Sequence, residues 1–162
     1  MKWPLNLFAN GTDDPRFREL RALRLFRDLT AHELREVEEL LHERSYETGE
    51  IVFDEGDIGL GLFIVVTGRT RASSSHPTLQ QLSPEFCCGD FFGELSLFDE
   101  RLRTGRVIAV EPSRVVALFR TEFFSLLERN KSIGVKILLE LSRALCQRAR
   151  NLAIGQSSET RV

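Results

Sequence analysis

The spacing of apolar residues changes character twice along the chain, which predicts a helical lead-in, a central block of strands and a helical end. Asp14-Pro15 offers a capping acceptor followed by proline at a first helical position, and a helix is expected from there through Phe26. Thr30-Ala-His-Glu33 reads as a capping box, with Leu34, Val37, Leu40 and Leu41 as the apolar stripe of a helix ending near His42. From Tyr46, glycines at 49, 56, 59, 61, 68 and 89 punctuate short runs rich in Val, Ile, Phe and Thr, among them Ile51 to Phe53 and Leu62 to Thr67. Two further strands, Arg106 to Val110 and Ser113 to Phe119, are split by Glu111-Pro112, which cannot continue a central strand. Many short strands with regular turns predict a sandwich or jelly-roll barrel. Thr121 reads as the cap of a helix over Glu122 to Leu127, and a long helix without internal proline follows from Ile133 to about Leu152. On it Leu138, Leu141, Leu145 and Leu152 approximate a heptad stripe that Ile137, Leu139 and Ala144 widen, suited to the molecule's own core or to a partner helix. The expected organisation is one domain: a tail over 1–13 carrying Trp3 and Phe8, helices over 14–43, a β-roll over 44–120, helices over 121–152 and a polar tail over 153–162.

Composition narrows what such a domain does. With 162 residues, 42% of them hydrophobic, the chain buries an adequate core without disulfide or metal staples. A net charge of −2 argues against a generally basic, nucleic-acid-binding surface, so no direct DNA binding is expected. Cys87, Cys88 and Cys146 form neither a disulfide framework nor a zinc spacing and read as buried or half-buried hydrophobes in a reducing cytoplasm. His32, His42 and His76 make no ligand pair, so no metal and no cofactor are expected, and a metal-dependent enzyme on a jelly roll lacks its ligands. No run approaches the roughly 18 apolar residues that cross a bilayer.

The chemistry concentrates between the two strand blocks, in Gly89-Asp-Phe-Phe-Gly-Glu-Leu-Ser-Leu-Phe-Asp-Glu-Arg-Leu-Arg-Thr-Gly-Arg106. Gly93 lets backbone approach a ligand closely, and Glu94 to Leu97 can form one helical turn whose first amides point at an anion. Glu94 can accept a hydrogen bond from a ribose hydroxyl. Arg103, ten residues after Gly93, leaves the chain room to reverse and return a planar guanidinium to the same phosphate. Each feature alone is weak; together they specify a sugar phosphate.

Tyr46-x-x-Gly-Glu-x-Val-Phe-x-Glu-Gly-Asp-x-Gly59, Phe63-Ile-x-x-x-Gly68, Gly89-Asp-x-Phe-Gly-Glu94 and Arg103-Thr104 resemble the cyclic nucleotide-binding domain family, and Leu25-Phe-x-x-Leu-x-x-x-Glu-Leu34 is similar to its helical lead-in. The resemblance covers about Leu25 to Leu152 and implies a double-stranded β-helix, a jelly roll flanked by helices. It implies that Gly93, Leu95 and Ser96 give backbone contacts to a cyclic phosphate, that Glu94 takes the ribose 2′-hydroxyl, that Arg103 takes the exocyclic phosphate oxygens, and that Thr104 lies near the base. Phe92 and Gly105 complete the expected ligand-binding set. Gly105 and Arg106 stand where the family usually places small residues, and Leu102 replaces a frequent proline. Arg101 and Arg106 add positive charge that would suit a cyclic dinucleotide such as cyclic di-GMP, and Arg143 or Arg148 on the last helix is placed to reach the base. The expected function is a non-enzymatic cytoplasmic sensor of cAMP or cGMP, which moves its last helix to signal to a protein effector in trans, as a homodimer through that helix. Only about ten residues follow the long helix, which is why the output is expected in trans. A cyclic di-GMP receptor and a ligand-free scaffold are the alternatives.

Overall fold

In the computed structural model, which describes residues 15–76 and 83–159, the strand-forming runs assemble into two four-stranded antiparallel sheets. The strands are β1 (Leu41–Tyr46), β2 (Ile51–Phe53), β3 (Gly61–Thr67), β4 (Arg69–Ser73), β5 (Glu85–Cys87), β6 (Phe91–Phe92), β7 (Arg106–Ala109) and β8 (Ser113–Phe119). Their orders are β1-β8-β3-β6 and β2-β7-β4-β5, so every successive pair of strands except β4 and β5 changes sheet, as in a jelly roll. Around them lie α1 (Pro15–Ala22), a 3₁₀ turn (Arg24–Phe26), α2 (Ala31–Glu38), α3 (Leu95–Phe98), α4 (Arg120–Arg129) and α5 (Lys131–Glu159).

The near-continuous apolar run of β3 has a packing reason: its sheet is covered on both faces. Leu62, Ile64 and Val66 join Val116 and Leu118 of β8 in a core with Phe26, Leu34, Phe123, Ile133, Ile137 and Leu141 of the helices. The alternate residues Phe63 and Val65, with Val115, Phe92, Phe53 and Phe86, fill the space between the sheets. Two buried carboxylates then tie α5 to the lead-in. Glu140 accepts from Arg24 at 2.6 Å and Arg27 at 3.0 Å. Glu33 closes the expected capping box on Thr30 and also accepts from Ser132 at 2.8 Å and Lys136 at 2.6 Å. Burial pushes the Glu33 carboxyl up, but these donors outweigh it and hold the group down at about 2.

Several expected boundaries differ. The first helix stops at Ala22 because Leu23, Leu25 and Phe26 are all buried, which one regular helical face cannot achieve. The helix expected to reach His42 ends at Glu38; Leu41 to Tyr46 instead pair with β8 over six residues, and this ladder overrides local helical preference. Thr121 is no cap, since α4 starts at Arg120 with Phe119 before it. The long helix continues past Leu152 to Glu159, where the chain offers no proline to stop it. Strand β4, not foreseen individually, turns only small residues inward, Thr70 and Ala72, while Arg69 and Arg71 pair outside with Glu85. The cysteines are free and exposed rather than buried: Cys87 ends β5 and is bonded to Asp90, Cys88 sits in the turn that follows and is bonded to the Val66 carbonyl, and Cys146 lies on the outer side of α5. The tail over 1–13, the Asp14 cap and residues 160–162 lie outside the described residues.

Candidate functional site

Pairing of Phe92 with Phe63 and of Phe91 with Ile64 brings the chain out of the sheet at Gly93. That glycine is obligatory twice over: its φ is 75°, and a methyl group there would lie 2.5 Å from Arg103 Nη1. One helical turn, α3, follows directly, with buried Glu94 at its cap position and no side chain capping it. The Ser96 amide reaches back to the Gly93 carbonyl at 3.3 Å and the Leu97 amide to Glu94 at 3.0 Å, so the turn closes on itself.

Arg103 fills the centre of the site and is only 7% exposed. Its Nη1 donates to the Gly93 carbonyl and to Ser96 Oγ, both at 3.0 Å, and its Nη2 donates to the Gly61 carbonyl at 2.8 Å. The guanidinium lies 4.1 Å from the centre of the Phe53 ring, at the edge of the Phe53, Phe63, Phe86 and Phe92 cluster. Burial lowers its pKa from the ordinary arginine value, with Asp57 and Glu94 opposing, and an arginine stays charged under such a shift. Arg103 Nε is buried with no hydrogen-bond partner, a free donor beside the bonded Nη groups. An arginine needing one more acceptor, next to an uncapped helical turn, matches the demands of a phosphate oxygen.

Glu94 makes the connection that sequence reasoning missed. Arg148, reaching in from α5, donates through Nη1 to Glu94 Oε1 and through Nη2 to the Phe91 carbonyl. Its guanidinium also lies 5.4 Å and 5.7 Å from the Phe91 and Phe86 ring centres. Arg148, expected near a base, instead holds the carboxylate expected to take a ribose hydroxyl. The i, i+4 pattern of α5 carries no sign of this, because the partner is 54 positions away.

A cavity of about 300 Å³ joins these groups, lined by Phe92, Gly93, Glu94, Leu95, Ser96, Arg101, Arg103, Thr104, Gly105 and Arg148, with Phe53, Phe86 and Val107 as apolar wall. Gly105 is explained by crowding, since a methyl there would lie 2.6 Å from the Ser73 carbonyl. Thr104 accepts at its carbonyl from Ser74 Oγ. Arg101 is an open rim residue, 3.9 Å from Asp99. Two of the expected arginines do not reach the cavity. Arg106 is held by Asp54 through two 2.8 Å bonds, and Arg143 pairs with Glu140 on its own helix. Phe53 and Phe86 were not foreseen as site residues; Phe53 stands in the motif beside Val52, where it reads as a strand residue. Among the described residues no cluster of His, Cys, Asp and Glu is arranged to hold a metal, and no helix is long and apolar enough to cross a membrane.

Comparison with known proteins bears on this geometry. The family profile described as the cyclic nucleotide-binding domain matches residues 43–130. The cyclic AMP receptor protein of Thermus thermophilus is 31% identical over 142 residues, which cover 85% of this chain and 64% of the receptor. The crystal structure of the Thermus thermophilus catabolite activator protein superimposes with a TM-score of 0.70 at 27% identity, over 85% of this chain and 63% of the other. The regulatory domain of Toxoplasma gondii PKA, crystallised with cAMP, gives a TM-score of 0.64 at 26% identity, over 80% and 48%. The chain therefore spans less than two thirds of the length of each of these relatives.

Proposed function

Because the chain belongs to the cyclic nucleotide-binding domain family, we propose that it is a non-enzymatic regulatory sensor, which holds a cyclic mononucleotide, cAMP or cGMP, in the cavity around Arg103 and reports occupancy through α5. One observation carries the reading: the Glu94 carboxylate, the natural acceptor for a ribose hydroxyl, is bonded by Arg148 of the long helix. A sugar entering the cavity must share or displace that contact, so ligand and helix act on one carboxylate and their binding energies are coupled. Arg103 supplies the phosphate with its free Nε and exchanges backbone acceptors for phosphate oxygens. A mononucleotide is preferred over a cyclic dinucleotide because Arg106, the second cation that a larger anion would need, is occupied by Asp54.

Output passes to a protein effector, and α5 offers a surface for a second copy. Its Ile137, Leu141 and Ala144 are consumed by the core, leaving Val135, Leu139, Ser142, Cys146 and Ala149 exposed at alternating spacings of four and three. That face, rather than the stripe through Leu141, is the proposed homodimer seam.

Calorimetric titration of the chain with cAMP, cGMP and cyclic di-GMP tests the reading. Heat is expected with a mononucleotide, and Arg103→Ala is expected to weaken it by more than tenfold, as loss of a desolvated charged partner costs about 2–5 kcal/mol. Glu94→Ala is expected to weaken it as well. No heat with any of the three nucleotides removes the sensor reading, and heat with cyclic di-GMP alone reverses the choice of ligand.

A further inference from the structure

Residues 57–61, Asp-Ile-Gly-Leu-Gly, run between the phosphate cassette and the start of α4, and their two faces differ in kind. On the inner face glycine leaves space that neighbours fill. A methyl on Gly59 would lie 2.0 Å from Ser96 Oγ, and one on Gly61 would lie 2.3 Å from the Leu118 carbonyl. On the outer face Ile58 and Leu60 are 73% and 61% exposed, and Leu102, bridged to Ile58, is 58% exposed. None of the three belongs to either core cluster. Large apolar side chains grouped in solvent mark a contact surface, since they add nothing to the folded core and lower solubility.

With Phe119 these residues wall a groove of about 520 Å³, separate from the nucleotide cavity but sharing Leu102 with it, and bounded by Glu100, Arg120 and Thr121. Arg120 is its cation, and it is incompletely paired. Its Nη1 is buried with no hydrogen-bond partner, and its Nη2 meets Glu100 at 3.5 Å, where the Glu100 side chain is itself 87% exposed. No side chain caps the first turn of α4, which starts at this point. A buried unpaired N–H and the positive end of a helix both favour an added carboxylate.

We infer that this groove docks a segment of a partner protein in which one or two apolar side chains are followed by a carboxylate. The apolar side chains lie across Ile58, Leu60 and Leu102, and the carboxylate pairs with the incompletely satisfied Arg120 guanidinium, displacing the loosely held Glu100 from its Nη2. The rim stands largely in solvent, which suits a chain laid across the surface better than a small molecule that must be mostly enclosed. The surface is independent of the nucleotide reading, because Ile58, Leu60 and Arg120 do not line the nucleotide cavity.

The test is a titration of the chain, labelled at Ile and Leu methyls, with the peptide Ac-Ser-Gly-Leu-Phe-Asp-Glu-NH2, followed by NMR. Two controls replace Asp-Glu by Lys-Lys and Leu-Phe by Ser-Ser. Saturable shifts are expected at the methyls of Ile58, Leu60 and Leu102, with both controls binding at least tenfold more weakly. Arg120→Gln is expected to weaken the acidic peptide about tenfold, and Ile58→Ser with Leu60→Ser to abolish its binding, while nucleotide titration of both variants stays at the wild-type value as a check on folding. Absence of shifts at these methyls at millimolar peptide overturns the inference. So does equal binding of the lysine peptide, or binding that survives the Ile58→Ser, Leu60→Ser change.

Discussion

Replacing Glu33 by glutamine isolates the charge that ties α5 to the helical lead-in. The carboxylate accepts from Thr30 N, Ser132 Oγ and Lys136 Nζ at 2.8, 2.8 and 2.6 Å. Burial raises its pKa and these donors lower it further, to a net value of about 2 against an ordinary 4.5. A folded-state value below the unfolded one gives stability that is complete above about pH 4.5, fades as pH falls and is gone below about pH 2. At about 1.4 kcal/mol per pH unit the ceiling is about 3 kcal/mol. Lys136 is partly open to solvent, which screens the pair, so a loss of about 2 kcal/mol is expected in Glu33→Gln at pH 7. Urea denaturation of both proteins, followed by circular dichroism at pH 7, 5, 4 and 3, reads the difference directly. It is expected to hold between pH 7 and pH 5 and to shrink steadily below pH 4.5. A difference that stays constant down to pH 3 refutes the reasoning, because it assigns the loss to shape rather than charge.

Three other outcomes follow from the site. Gly93→Ala places a methyl against Arg103 Nη1 on a left-handed backbone, a strain of about 1–3 kcal/mol, and is expected to cut cyclic nucleotide affinity by at least tenfold by calorimetry. Arg148→Gln releases Glu94 and is expected to raise affinity about fivefold, since a partly exposed charge pair is worth about 1 kcal/mol; unchanged or weaker binding shows that the ligand does not compete with the helix. Val135→Glu with Leu139→Glu is expected to yield a monomer by sedimentation velocity where the parent is a dimer, and a parent that is already monomeric removes the seam.

What the sequence makes legible here is local chemistry, and what it conceals is distance. The capping box at Thr30 and Glu33 is readable because both partners lie within one turn, and it is found as expected. The convergence of Gly93, Glu94, Ser96 and Arg103 is readable because the residue types and their ten-residue span leave few other uses. The engagement of Glu94 by Arg148 and of Arg106 by Asp54 is set by how the last helix and the second sheet pack, and no local spacing encodes either. Leu41 illustrates the same limit at the level of elements. It continues the stripe of α2 by period, yet six ladder pairs with β8 claim it for a strand. The exposure of the cysteines is not legible, because the usual burial of that residue type says nothing of a strand end, a turn or the outer face of a helix.

The sheet formed by β1, β8, β3 and β6 has a consequence for engineering. Its helix-facing residues Ile64 and Val116 alternate along the backbone with Phe63 and Val115, which face the aromatic floor under Arg103. A change of side-chain volume on the helix side is therefore transmitted through the close-packed sheet to the floor on which the guanidinium rests. Stabilising this protein by redesigning its principal core would retune the surroundings of Arg103 at the same time. Residues on the outer face of the opposite sheet, such as Arg69, Arg71 and Glu85 on β4 and β5, are the places where sequence can be varied while recognition is left alone.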